Sequence, residues 1–253
     1  MLRACLLSLA LLLSGAASHA ASISLDAVGN DRGTFNSSGF KNIPVFSGGT
    51  WKAVEGTYFV RSLGDGGNFS GGVPTALEVQ RNYHIFDLSG LAAGQTITGA
   101  TLLLNHPSNS YSSTGGDPTE TVEFFDVSTS FADLRNPDES QPDAVLDAIF
   151  ADLGSGTSYG SFTASPASNG TVESIVLNAA ALSALNAAIG FEWAIGGAIT
   201  SFDETFFGAE EQVFKGSETI PTVASQLMLT VVPEPSTGLL LGLGLLGLAA
   251  RRR

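Results

Sequence analysis

Gly156-Thr157-Ser158-Tyr159-Gly160 has the G-x-S-x-G spacing that exposes a nucleophilic serine on a sharp turn. Such a serine needs a strand before it, a helix after it and a histidine as base. Here a helical pattern comes first and a strand pattern follows. The only histidines beyond residue 20 are His84 and His106, both upstream of the serine. That is the wrong order for the fold that uses this turn, so the pentapeptide reads as a tight Gly/Ser turn. Gly242-Leu243-Gly244-Leu245-Leu246-Gly247 fits G-x-G-x-x-G. It lies in an apolar run with no βα unit before it, so it is not a phosphate loop. Gly238 and Gly242 also form a G-x-x-x-G, which favours close helix contact in a membrane.

Metal and sugar chemistry leave fainter traces. Zinc draws on His or Cys, and two distant histidines do not make a site. His84 falls within an apolar strand and reads as a packed side chain. His106, before Pro107, reads as exposed. Calcium needs only oxygens. Asp26, Asn30 and Asp31 form one oxygen-rich cluster and Asp138, Glu139 and Asp143 another, neither with EF-hand spacing. No cofactor is expected; calcium (Ca2+) is the one cation for which the loops hold ligands. A carboxylate pair for glycoside hydrolysis is defined by its separation in space, and none stands out. The aromatics able to stack on sugars are Trp51, Tyr58, Tyr83, Tyr111 and Tyr159. Trp51, in the Gly-rich and predicted loop GGTWKAVEG, is the best candidate for a glycan contact. Its competing reading is a rim residue closing the core.

The elements that would position these groups are strands. Leu227, Leu229 and Val231 alternate along 226–232. Phe191, Trp193 and Ile195 alternate with Glu192 and Ala194, the pattern of a half-buried strand. Similar runs are predicted at 22–28, 57–61, 82–86, 100–105, 121–127, 161–164 and 171–177. Gly, Ser, Asn and Pro separate them, which indicates a sandwich or barrel. Two helices interrupt the strands. One covers 142–153, with Val145, Leu146, Ile149, Phe150 and Leu153 at helical spacing. The other covers 179–188, with Asn178 as N-cap and Gly190 as stop. Both are expected across a sheet edge or an open end. Gly64–Gly72 and Tyr111–Pro118 are predicted loops.

The two ends differ from the body. Met1-Leu2-Arg3 is basic, Leu6–Leu13 is nearly all apolar, and Ser18-His19-Ala20 offers small residues at a signal-peptidase site. Residues 1–20 thus read as a signal helix cleaved between Ala20 and Ala21, with the Sec machinery as partner. The only cysteine, Cys5, leaves with it, and the body has no thiol for disulfide, metal or catalysis. Arg3 and Arg251–Arg253 also lie in the ends. Seven basic residues then face all 24 acidic ones, and residues 21–250 carry a net charge of about −17. Such a surface repels phosphate backbones, so no nucleic-acid partner is expected.

At the other end, Pro233-Glu234-Pro235 precedes 13 residues, Gly238–Ala250, that are all Gly, Ala or Leu; Arg251, Arg252 and Arg253 follow. As a helix the apolar run extends roughly 20 Å against a hydrocarbon core of about 30 Å, and snorkelling arginine stems lengthen its reach. The arginines would stay on the cytoplasmic side, with the body outside. In that order these three parts resemble the PEP-CTERM sorting signal of exported bacterial proteins. The resemblance covers Val232–Arg253. It implies transient insertion in the inner membrane and processing at Pro-Glu-Pro by an exosortase. The released protein would then lie at the cell surface or outside it, in association with exopolysaccharide or biofilm.

A second resemblance covers Asn82–Leu91 and Gly94–Leu104 (NYHIFDLSGL and GQTITGATLLL). They are similar to a strand pair of DNRLRE-type jelly-roll modules, which resemble carbohydrate-binding modules. The organisation expected is a signal peptide over 1–20, one mainly β, jelly-roll-like antiparallel sandwich with two short helices over 21–231, and a sorting signal ending in a hydrophobic helix over 232–253. The function expected is that of an exported surface or matrix protein without catalysis. The alternative is a polysaccharide-binding module of jelly-roll type.

Overall fold

The computed structural model describes residues 20–28, 31–36, 41–42, 45–47, 50–52, 60–70, 73–113, 118–135, 143–201, 210–214 and 225–233. Of these, residues 36–52, 61–70, 73–78, 143 and 210 are described by backbone alone. Fifteen strands lie within them: β1 (Ala21–Ala27), β2 (Arg32–Asn36), β3 (Lys41–Asn42), β4 (Val45–Ser47), β5 (Thr50–Lys52), β6 (Val60–Ser70), β7 (Val73–Asp87), β8 (Gln95–His106), β9 (Ser112–Ser113), β10 (Glu120–Asp126), β11 (Ser158–Ala164), β12 (Thr171–Val176), β13 (Glu192–Ile199), β14 (Glu210–Val213) and β15 (Ser225–Pro233). Three α-helices accompany them: α1 (Phe131–Arg135), α2 (Asp143–Asp152) and α3 (Ala179–Ala187).

A four-stranded sheet runs in the order β1-β15-β8-β12. A nine-stranded sheet runs β11-β10-β13-β7-β6-β14-β9, with β2 on the other edge of β7 and β3 beside β2. All pairings are antiparallel. Eight strands form the frame: β1, β7, β8, β10, β11, β12, β13 and β15. Ranked in chain order, they pair as first-eighth-third-sixth in one sheet and fifth-fourth-seventh-second in the other. Only β10 and β11 follow each other within one sheet. This is the double-sheet arrangement of a jelly roll, and the expected mainly β sandwich is what the chain forms.

Alternation builds the core. From the four-stranded sheet, Leu102, Leu104, Ile175, Leu227 and Leu229 point inward; Phe86, Val122, Phe124, Trp193 and Ile195 meet them from the other sheet. The Trp193 ring stacks on Tyr159 at 5.7 Å and on Phe86 at 6.3 Å. In β8 the alternation slips once, because Thr230 pairs with Gly99 while Val231 pairs with Ile97. Thr98 is the extra residue of a bulge, which turns both Ile97 and Ala100 into the core.

The structure corrects several expectations. Strand β13 is not half-buried: Trp193 through Ala198 are all buried. A second apolar cluster explains this. Leu146 and Ile149 of α2 and Leu153 just after it pack with Leu134 on Tyr83, Ile85 and Ala194, on the outer face of the nine-stranded sheet. Helix α2 therefore covers a sheet face rather than an edge or an open end. Gly196 lets it come close, since a Cβ there would sit 2.6 Å from the Leu153 carbonyl oxygen. Phe191 precedes β13 and is 71% exposed. The predicted loop at Gly64–Gly72 is strand as far as Ser70, because β6 and β7 pair through backbone groups that glycine supplies as well as any residue. In the predicted Tyr111–Pro118 loop, Ser112 and Ser113 form β9. Trp51 lies in β5, paired with Phe46 of β4, not in a loop. Helix α1 was not predicted.

Candidate processing site

The last strand carries the site. Strand β15 lies between β1 and β8, and Leu227, Leu229 and Val231 are each 1% exposed or less. Val231 is thus a core residue, Val232 is half-buried, and Pro233 is the exposed final residue, in register with Gln95. A proline at a strand end costs no ladder hydrogen bond. Glu234, Pro235 and Arg251–Arg253 lie outside the described residues. The apolar run of the tail lies there too. Among the described residues, no helix is long and apolar enough to cross a membrane.

Helix α3 closes this end of the sandwich. The Asn178 side chain caps it, accepting from the backbone N–H groups of Ala180 and Ala181 at 2.9 and 3.1 Å. Ala181 and Leu185 face the core. The Asn186 amide accepts from the Ile97 N–H at 2.8 Å and donates to the Ile97 carbonyl at 2.8 Å. That pair of hydrogen bonds fixes the start of β8, the strand against which Val231–Pro233 is registered. Ala21, the first residue of β1, pairs with Val231. The candidate signal-cleavage point between Ala20 and Ala21 and the start of Pro233-Glu234-Pro235 therefore leave the domain side by side. This adjacency depends on register across about 200 residues, and no local signal in the sequence carries it.

The other candidates do not gather. Tyr83 is fully buried, and Tyr111 and Tyr159 are 8% and 6% exposed, so none offers a face to a sugar. Tyr58 and the Trp51 side chain lie outside what is described. Ser158 opens β11 after a helix and a turn, where Gly156 takes a φ of +103° that suits glycine. His84 is packed at 0% exposure, as expected, and burial first, then Arg32, lowers its pKa to about 3. His106 is also 0% exposed, which corrects the expectation of an exposed ring. Phe214 packs on it at 5.2 Å, its Nδ1 meets the Ser110 hydroxyl, and burial lowers its pKa to about 4.

The oxygen-rich clusters are also engaged elsewhere. Asp26 accepts from the Gln226 amide at 2.9 Å. Asp31 accepts from Arg135 at 2.6 Å, and the same guanidinium binds Glu192. Asp143 opens α2, while Asn30, Asp138 and Glu139 lie outside the described residues. Among the described residues no group of three or more His, Cys, Asp or Glu is placed to hold a metal. A groove of about 470 Å³ between α1 and α2 is lined by Ser128, Thr129, Asp133, Ile149 and Asp152. Burial raises the Asp152 pKa, but bonds from both the hydroxyls and the N–H groups of Ser128 and Thr129 outweigh it and hold the carboxyl below its usual range. Neither this cluster nor the Arg135 bridge was predicted; both join segments distant in sequence.

A jelly roll whose final strand runs without a linker into Pro-Glu-Pro, an apolar run and arginines defines an exported domain fused to a sorting signal. Residues 231–253 match the family model described as the PEP-CTERM protein-sorting motif. The chain is thus a PEP-CTERM domain-containing protein, directed to the cell surface and processed at its C-terminal signal, with an exosortase-type enzyme as the implied partner. The match begins inside β15 and takes in its last three residues. No curated protein matches the chain.

Proposed function

We propose that this protein is a non-catalytic component of the cell surface or extracellular matrix, associated with exopolysaccharide. The Sec machinery exports it, the leader is cut after Ala20, the tail holds it briefly in the inner membrane, and processing at Pro233-Glu234-Pro235 releases it. The observation that carries this reading is the direct fusion of a jelly-roll sandwich to a sorting signal. The domain is built to be delivered intact. The acidic surface suits a hydrated gel, where like charges keep neighbouring molecules apart. The non-catalytic reading is consistent with the candidates among the described residues. Ser158 stands in the wrong context, both histidines are buried, and the Asp152 carboxylate accepts four hydrogen bonds.

The test is fractionation of producing cells with and without residues 234–253. The intact gene should yield processed protein held with cells and their polysaccharide, and the truncated gene should yield protein that is not retained. Equal distribution of the two would reject the reading. The jelly-roll topology favours a second reading, because lectin domains use the same architecture; this is an analogy of fold, not of site. In that case the host's own exopolysaccharide should bind the domain, and Trp51→Ala should weaken binding. No retention on that polysaccharide or on a glycan panel would remove it.

A further inference from the structure

The four-stranded sheet is nearly without charge in an otherwise acidic protein. Strands β8 and β15 contain no Asp, Glu, Lys or Arg; β1 and β12 contain one each, Asp26 and Glu173. Asp26 pairs with Gln226 and Glu173 with Leu104, so both sit toward the end opposite Pro233 and Gln95. The pieces that close the Pro233 end are also uncharged: residues 88–94 and residues 174–191, which include α3. The charges that flank this end are Asp87 and the Arg135 bridge to Asp31 and Glu192, on the nine-stranded side, and Glu234, directly after Pro233 and outside the described residues. On the nine-stranded side Arg135 offsets one of the two carboxylates it binds. Phe191 is 71% exposed beside this uncharged end, its N–H bonded to Ala188 and its carbonyl to Leu88.

Chain length adds a constraint. Only Glu234, Pro235, Ser236 and Thr237 separate the sheet from the apolar run. Fully extended, four residues span roughly 14 Å. With the tail inserted, the end of β15 must lie within about that distance of the lipid surface. Exposed charges act over a Debye length of about 8–10 Å, so an acidic end held this close would be repelled by anionic headgroups. An end whose own segments carry no charge, flanked by only a few carboxylates, is repelled far less.

We propose that the end formed by residues 88–94, the C-terminal half of α3, Phe191 and Pro233 is a lipid-facing surface in the tail-bearing protein, resting on the bilayer until processing frees it. The proposal rests on membrane anchoring by the tail, and goes further in naming the face that is covered. Single-cysteine variants are clean probes, because the only cysteine, Cys5, is in the leader. Ala93→Cys, Ala187→Cys and Phe191→Cys would report the proposed surface. Ser108→Cys, exposed beyond the far end of β8, would be the control.

Residues 21–253 would be reconstituted in phosphatidylethanolamine/phosphatidylglycerol vesicles, labelled with a polarity-sensitive fluorophore, and challenged with headgroup spin-labelled lipid. Quenching should be several-fold stronger at positions 93, 187 and 191 than at 108. Equal or absent quenching in vesicles that float with the protein would overturn the orientation while leaving anchoring intact. Failure to float would overturn both. If positions 93, 187 and 191 are shielded only when the processing enzyme is also in the vesicles, the surface belongs to that enzyme and the bilayer proposal falls.

Discussion

The two sheets share one core but differ in what they add to it. The four-stranded sheet holds both exits of the chain, Ala21 and Pro233, on adjacent strands, and its strands carry only two charges. The nine-stranded sheet gains β2, β3, β6, β9 and β14 beyond the frame, is covered outside by α2, and carries the Arg135 bridge. One side is arranged for delivery and the other is elaborated.

The largest expected effect tests whether the two sides are one cooperative unit. Leu229→Ala in β15 and Leu153→Ala beneath α2 each empty a site that is 1% exposed or less. Each should cost about 2–5 kcal/mol, read from urea unfolding. If the comparison is one of function rather than of separate folding units, both variants keep a single transition. A two-step curve for Leu153→Ala would mean that the elaborated layer melts on its own.

Next in size is Asn186→Ala, which removes both bonds to Ile97 at the exit end. A loss of about 2 kcal/mol is expected at about 1 kcal/mol per hydrogen bond, with faster amide exchange at Ile97 than in β13. Uniform exchange would argue against a local clamp.

Acid sharpens the comparison, because each sheet buries one histidine. Both have folded-state pKa values below the ordinary 6.5, about 3 for His84 and about 4 for His106. The unfolded chain therefore binds more protons as pH falls below 6.5, and stability is lost in that direction. The windows run from 6.5 to about 3 for His84 and to about 4 for His106, with slopes of up to about 1.4 kcal/mol per pH unit for each group. Urea midpoints across this range should flatten in His84→Gln and His106→Gln, over the wider window in the first. No change of slope in either variant would contradict burial of the neutral rings.

Smallest is Arg135→Ala. Its bridge is partly exposed, so a loss of about 1 kcal/mol or less is expected, shrinking as salt is added. A larger loss that salt does not change would place the bridge among the packing interactions instead.

Strands were legible wherever side chains alternate against one core, as in Leu227, Leu229 and Val231. Helix α3 was legible from the Asn178 cap and Gly190. What failed to show had physical reasons. Glycines hid β6, since ladder hydrogen bonds need no side chain. Alternation misassigned the second face of β13, because α2, which covers Ala194, is brought there by chain reversal. His106 looked exposed beside Pro107, but Phe214, distant in sequence, covers it. The tail was fully readable as a motif, since its three parts are contiguous. Its closeness to Ala21 was not, because register between the first and last strands is a property of the closed sandwich.

The central claim is delivery of an intact jelly roll followed by loss of the tail just beyond β15. Intact-mass and terminal-peptide analysis of protein recovered from cells and medium tests it most directly. The expected product begins at Ala21, keeps β15 through Pro233, and lacks Arg251–Arg253. A recovered product that still carries the arginines, or one cut upstream of Val231 within the sheet, would contradict it.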